Sequence, residues 1–199
     1  MPTFDDHFSP AALESSFERL LDGHFDVITE RRRISAGSDR VELDLFQRDK
    51  EKHFAAAARK VLSGRYTFSP FLERQIPKDG SKEMRTISIA SIRDSIVQRA
   101  LYDYLYPFVD VLLADGVVFG YRKGVSAHDA IDVIKRHFSN RRTYVFEADL
   151  EKFFDTVDYD ILLNKVGQLD IDIRVQTLIR RFLKTGKIPS GQVEEHRAM

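Results

Sequence analysis

An α+β fold, with helices packed on a small antiparallel sheet, is what this sequence predicts, and three observations carry that prediction. Segments with helical spacing alternate irregularly with a few short strand-like runs, unlike the regular order of a doubly wound sheet. Two of those runs flank a polar turn, as in an antiparallel hairpin. The chain has 199 residues, 43% of them hydrophobic and 31% charged, which is ordinary globular composition with room for one core or two small lobes.

Taken in order, a helix is expected from Lys50 to Leu62, before Gly64. Strands follow at residues 71–76 and 85–89, joined by Pro77-Lys78-Asp79-Gly80-Ser81-Lys82-Glu83-Met84, whose Asp-Gly pair marks the turn. In such a hairpin Lys78 and Arg85 lie roughly opposite each other and can point the same way. Residues 91–108 are helical, with Ile92, Ile96, Ala100, Leu101, Tyr104, Leu105 and Phe108 on one stripe, Ser91 as cap and Pro107 near the end. Ser126-Ala127-His128-Asp129 reads as a capping box. The helix it opens turns Ala127, Ala130, Ile131, Ile134 and Phe138 inward and stops before Asn140-Arg141-Arg142. A third strand is expected over residues 143–149. The last helix, residues 173–184 before Gly186, faces the core with Val175, Leu178, Ile179, Phe182 and Leu183.

Composition narrows the function classes. With no cysteine there is no disulfide framework and no thiolate metal site. The apolar runs are far shorter than the ~20 residues of a membrane span, and the acidic N-terminus lacks the basic start of a secretory signal, so no membrane partner and a cytoplasmic location are expected. Net charge is zero, which is neutral on nucleic acid because patches decide that binding.

The densest chemical signal is Asp149, at the end of the expected third strand. The run from Glu147 to Asp160 holds six carboxylates against Lys152 alone, an excess that repels itself unless cations or solvent screen it. On position alone Asp149 serves equally as a metal ligand at a strand end or as the cap of a helix beginning at Leu150. Lys78 and Arg85 suit a polyphosphate, Arg as a planar fork and Lys as a point charge, although charged hairpin tips are commonly just solvated turns. The remaining candidates have plain structural readings. His128 belongs to its capping box, and Arg31-Arg32-Arg33 and Arg141-Arg142 read as solvated charge. Gln98 and Arg99 lie on the outer face of a helix, and one of Phe153 and Phe154 belongs to the core.

The longer pattern changes that weighting. The blocks Ile76-Pro77-Lys78 through Arg85-Thr86-Ile87, Arg93-Asp94-Ser95-Ile96-Val97-Gln98-Arg99-Ala100-Leu101, Leu105-Tyr106-Pro107, Phe119-Gly120-Tyr121-Arg122-Lys123-Gly124 with Ser126-Ala127-His128-Asp129-Ala130, and Glu147-Ala148-Asp149-Leu150-Glu151-Lys152-Phe153-Phe154-Asp155 occur in that order. Together, over residues 31–163, they resemble the N-terminal half of bacterial reverse transcriptases, the group that spans intron-like, retron and phage-defence enzymes. The resemblance implies right-hand polymerase fingers over residues 1–90, a partial palm over 91–157 and a helical return to the fingers over 158–199. It implies that Lys78 and Arg85 grip the incoming triphosphate. Asp149, with the carbonyl of Leu150, would bind Mg²⁺, with Mn²⁺ as the alternative ion. Phe154 would be the aromatic gate under the sugar, and Arg122 a contact to nucleic acid. The implied partners are an RNA template, a DNA primer and dNTP.

Similar polymerases complete their metal site with a later aromatic-x-Asp-Asp turn, and the only Asp-Asp pair here is Asp5-Asp6, expected at a frayed, exposed terminus. Thr86 stands where many intron-type relatives have proline, which points away from an intron maturase. The expectation is therefore a fragment or first half of a reverse transcriptase, inactive alone, with a missing C-terminal half or a second chain supplying the remaining carboxylates. The competing class is a catalytically inactive nucleic-acid-binding or assembly subunit of a retroelement or defence system. Another palm-type nucleotidyltransferase would explain Asp149 but not the ordered blocks around it.

Overall fold

The computed structural model describes residues 3–23, 25–26, 31–32, 34–78, 80, 82–114, 116–151 and 153–189, without the side chains of residues 25, 26, 31, 32, 154 and 155. The chain forms two compact units. The first comprises Met1–Tyr104 with Ile171–Met199, and the second comprises Leu105–Asp170.

The first unit opens with α1 (Phe4–His7), capped by Thr3, and α2 (Pro10–Asp22), capped by Ser9 with proline at its first position. The expectation of a frayed terminus is corrected here. Asp6 completes a capping box with Thr3, and Asp5 takes both prongs of Arg174 at 2.9 and 3.0 Å. Arg174 in turn lies 4.3 Å over the ring of Phe4. A two-stranded pairing of β1 (Phe25–Asp26) with β2 (Arg31–Arg32) follows. Then come α3 (Leu43–Arg48) and α4 (Lys50–Leu62). Phe17 of α2, Phe46 of α3 and Phe54 of α4 meet with ring centroids 5.4 to 6.1 Å apart, so three aromatic side chains spaced along the sequence build one core cluster.

The hairpin is β3 (Phe71–Pro77) with β4 (Met84–Ile89), antiparallel and in the register Ile76 to Arg85. Its sheet is not purely antiparallel, because β5 (Lys187–Pro189) joins the free edge of β3 in parallel. Leu72 and Ile188 bury each other there, with Ile89 against them. Three residues are too few to show a period in sequence, which is why this strand goes unforeseen. The helix α9 (Ile173–Leu183) leads into β5 and buries Val175, Leu178 and Ile179, while Phe182 meets Phe68 and Phe71 edge-on. The α5 helix (Ile92–Asp110) buries Ile92, Ile96, Ala100, Leu101 and Tyr104 of the expected stripe and Val97 besides, whereas Leu105 and Phe108 are only half-buried.

The second unit holds the end of α5, a 3-10 turn (Val111–Leu113), α6 (Ala127–Ser139), α7 (Phe153–Thr156) and α8 (Tyr159–Gly167). The capping box of Ser126 and Asp129 forms as expected. Two expectations fail. The apolar face of α6 is not buried, since Ile131, Ile134 and Phe138 are each about half exposed. Residues 143–149 form no strand, and Tyr144 is 100% and Phe146 91% exposed. Alternation gives a segment strand character, but a strand exists only when a partner takes its backbone hydrogen bonds. Among the described residues none does. No described helix is long and apolar enough to cross a membrane.

Candidate functional site

Register places the hairpin cations. With Ile76 opposite Arg85 and Arg74 opposite Ile87, alternation puts Arg74, Ile76 and Lys78 on the same face as Ile87, Arg85 and Glu83. Lys78 and Arg85 are thus diagonal neighbours on one face. The Lys78 backbone N–H donates to the Glu83 carbonyl at 2.9 Å, which extends the ladder to the turn, and its ammonium lies 2.7 Å from the Glu83 carboxylate. Both partners are mostly exposed, so that ion pair contributes little to stability. Arg85 and Arg74 are exposed, and their side chains make no hydrogen bond or ion pair among the described residues. Gly80 takes a φ of +71° in the turn, a conformation that a side chain would strain, whereas Asp79 lies outside the described residues.

A buried polar network holds the base of the hairpin. Asp94, in the first turn of α5, is 1% exposed and accepts from the Tyr66 hydroxyl at 2.6 Å and the Ser69 N–H at 2.8 Å. Arg93 donates to the Ser69 hydroxyl at 3.1 Å, Arg181 to the Tyr66 carbonyl at 2.8 Å, and Ser38 to the Pro70 carbonyl at 2.6 Å. Burial, with the Asp94 carboxylate beside it, pushes the Tyr66 hydroxyl pKa up. Gly37 presses directly on this region, since a Cβ there would lie 2.5 Å from the Ser91 nitrogen. The hydrogen bonds of this network all fix residues 66–70, the segment that enters β3, and Gly37 packs on the start of α5 beside them. Sequence reasoning missed the network because Asp94 reads as one more polar residue on a helix; its signal was the neighbouring Ser91, three positions upstream as a cap partner.

The second unit carries Asp149, Leu150, Phe154 and Arg122. The exposed Asp149 carboxylate accepts from the Leu150 N–H at 2.9 Å. The next helix, α7, begins only at Phe153, so Asp149 does not cap it. Within the acidic run the capping role falls to Asp158, which accepts from Asp160 and Ile161 at the start of α8. The Phe154 backbone lies in α7, and its side chain lies outside the described residues. Among the described residues no group of three or more His, Cys, Asp or Glu could hold a metal ion by itself. Asp149 and the Leu150 carbonyl therefore fit a hard dication only as a partial shell, the kind Mg²⁺ completes with phosphate oxygens and water.

Arg122 is not presented to solvent. Its side chain is 14% exposed, its Nε donates to Asp110 at 2.9 Å and its Nη1 to the Val118 carbonyl. The Arg122 guanidinium holds the Asp110 carboxyl below the usual range. The Lys123 N–H donates to the Tyr106 hydroxyl at 2.7 Å, and its ammonium sits 4.4 Å over that ring. Arg122 thus straps the loop to the end of α5.

The family described as Reverse transcriptase (RNA-dependent DNA polymerase) matches residues 76–199, more than half of the chain and beginning within the hairpin. This chain belongs to the reverse transcriptase family. It is 30% identical over 142 residues to the group II intron-encoded protein LtrA of Lactococcus lactis subsp. cremoris, covering 71% of this chain and 23% of that protein. It is 33% identical over 136 residues to protein YkfC of Escherichia coli K12, covering 66% of this chain and 35% of that one. A putative COX1/OXI3 intron 1 protein of Saccharomyces cerevisiae is 29% identical over 126 residues, 63% of this chain and 15% of its own length. The matched stretch of this reverse transcriptase chain spans well under half the length of each of these relatives. Two of the three are intron proteins by name, so Thr86 does not set the chain apart from intron-encoded relatives.

Proposed function

We propose that this chain forms the fingers and early palm of a reverse transcriptase that makes DNA on an RNA template by two-metal nucleotidyl transfer. The observation that carries the reading is the family match beginning at Ile76, within the hairpin that puts Lys78 and Arg85 on one face. Residues 1–90 and 158–199 are assigned to the fingers and 91–157 to the palm. Lys78 supplies a movable point charge and Arg85 a planar fork for the triphosphate of an incoming dNTP. Asp149 and the Leu150 carbonyl hold one Mg²⁺ or Mn²⁺, and Phe154 bears on the sugar and rejects a 2′-hydroxyl. Such cations, one of them held by Asp149 and the Leu150 carbonyl, would supply charge neutralisation for the phosphoryl transfer.

The 199-residue polypeptide does not extend a primer by itself. Its one Asp-Asp pair is occupied, Asp5 by Arg174 and Asp6 by Thr3, and Asp149 alone is too few carboxylates for two ions. The remaining ligands come from further polypeptide, in the same chain or in a second one. RNA-templated primer extension tests this. In a longer polypeptide that also carries an aromatic-x-Asp-Asp turn, Asp149→Ala abolishes extension, and Lys78→Ala or Arg85→Ala raises the KM for dNTP. Full extension by the Asp149→Ala protein would overturn the reading and favour a non-catalytic nucleic-acid-binding or assembly subunit. Metal-dependent extension by the 199-residue chain alone would overturn the claim that it is incompetent.

A further inference from the structure

Arg74 belongs to none of the roles above, yet it shares the hairpin face with Lys78 and Arg85. At ~3.3 Å per residue it stands about 13 Å from Lys78 along β3, with Arg85 across the ladder between them. It also lines a surface concavity of about 440 Å³ formed with Ile34, Ser35, Ala36, Glu42, Leu43 and Asp44. Two carboxylates and a guanidinium share this concavity, and among the described residues none of the three forms an ion pair or side-chain hydrogen bond. Glu42 stands at the start of α3 without capping it. Opposite charges that line one hollow without pairing are arranged for a ligand that brings both donors and acceptors.

A nucleobase is such a ligand, and guanine matches the set best. Its O6 and N7 are adjacent acceptors for the two prongs of an arginine, and its N1–H and N2 amino group are donors for two carboxylates. Adenine has no adjacent pair of acceptors on that edge, cytosine offers a single amino donor, and uracil a single ring N–H. Ile34, Ala36 and Leu43 give apolar walls for a flat ring, and Ser35 adds a hydroxyl. Lys78 and Arg85, on the same face as Arg74, extend positive charge along the hairpin beyond the hollow and favour any polyanion there, whatever its bases. We infer that the hollow between Arg74 and residues 34–36 and 42–44 is a binding site for an unpaired guanine base of single-stranded RNA. This inference rests on the reverse transcriptase reading and adds to it a base-selective contact outside the triphosphate grip.

The test is fluorescence anisotropy of the purified chain with two labelled, unstructured RNA octamers, oligouridylate and the same strand with one internal guanosine. The guanosine strand binds about tenfold more tightly, the discrimination of one good bidentate contact with its partners. Arg74→Ala removes that preference, and so does the near-isosteric pair Glu42→Gln with Asp44→Asn, which leaves the packing intact. Arg85→Ala weakens both strands alike and keeps the preference. Equal binding of the two strands, or a preference that survives Arg74→Ala and the carboxamide pair, overturns the guanine site while leaving the nucleic-acid reading in place. Failure to bind either strand overturns the nucleic-acid reading itself, and the guanine site with it.

Discussion

Replacing Asp94 by alanine should produce the largest stability loss of any single polar substitution in the first unit. The carboxylate is 1% exposed and is the acceptor for the Tyr66 hydroxyl at 2.6 Å and the Ser69 N–H at 2.8 Å, with the Arg93 guanidinium 3.8 Å away. A hydrogen bond to an ionised acceptor contributes about 1.5–3 kcal/mol, and removing one partner of a buried charged pair costs about 3–5 kcal/mol. The three interactions converge on one group and overlap, so the expected loss is about 4 kcal/mol and not their sum. Asparagine keeps one acceptor oxygen but turns an amide toward the second donor, and costs about 2 kcal/mol. In a chain of this length a loss of about 4 kcal/mol lowers Tm by roughly 8–16 °C. Urea unfolding followed by far-UV circular dichroism reads the change as a lower midpoint at unchanged slope. An Asp94→Ala loss below about 1 kcal/mol would show that water replaces the carboxylate, and the account of a sealed network at the hairpin base would be wrong.

Two further outcomes follow from the same region. Gly37→Ala drives a Cβ to 2.5 Å from the Ser91 nitrogen and 2.6 Å from its Cα, backbone atoms that cannot swing aside, so a loss of about 1–3 kcal/mol in urea unfolding is expected. An unchanged midpoint would mean that residues 34–41 do not press on the start of α5. The pKa of the Tyr66 hydroxyl is raised by burial first and the Asp94 charge second. The folded state therefore favours the protonated phenol, and its contribution is complete below the unfolded value near ~10 and is lost as pH rises above it. Between pH 10 and 11 wild-type stability should fall by about 1 kcal/mol more than that of Tyr66→Phe, and parallel pH profiles would count against the buried phenol.

Much of this architecture is legible in the sequence, but only where the signal is local. Most of the stripe of α5, the capping box of α6 and the existence of the hairpin follow from spacing and turn chemistry over fewer than twenty residues, whereas its register, with Lys78 diagonal to Arg85, does not. Periodicity identifies an apolar face without saying what covers it, and so Ile131, Ile134 and Phe138 are expected inside yet stand half exposed. The same limit applies to residues 143–149, whose alternation is that of a strand while no described strand pairs with them. In the candidate site, Lys78 and Arg85 are readable from the turn between them. Asp94 is not, because its burial depends on Tyr66 and Ser69, more than twenty positions away. Arg122 looks like a surface cation until Asp110 is seen beside it.

The parallel pairing of β5 with β3 has a consequence for how the chain is made. Phe71 meets Lys187 only after the whole of residues 105–170 has been synthesised between them. At the usual ~5–20 residues per second, the ribosome needs on the order of 6–20 s to carry the nascent polypeptide from one strand to the other. During that interval one edge of β3 offers unpaired backbone groups, and Leu72 lacks the Ile188 that later covers it. Closing so long a loop is also entropically late. The sheet that bears Lys78 and Arg85 is therefore completed only once residues 187–189 have emerged, and a chaperone acting on the nascent chain would find its substrate at that edge.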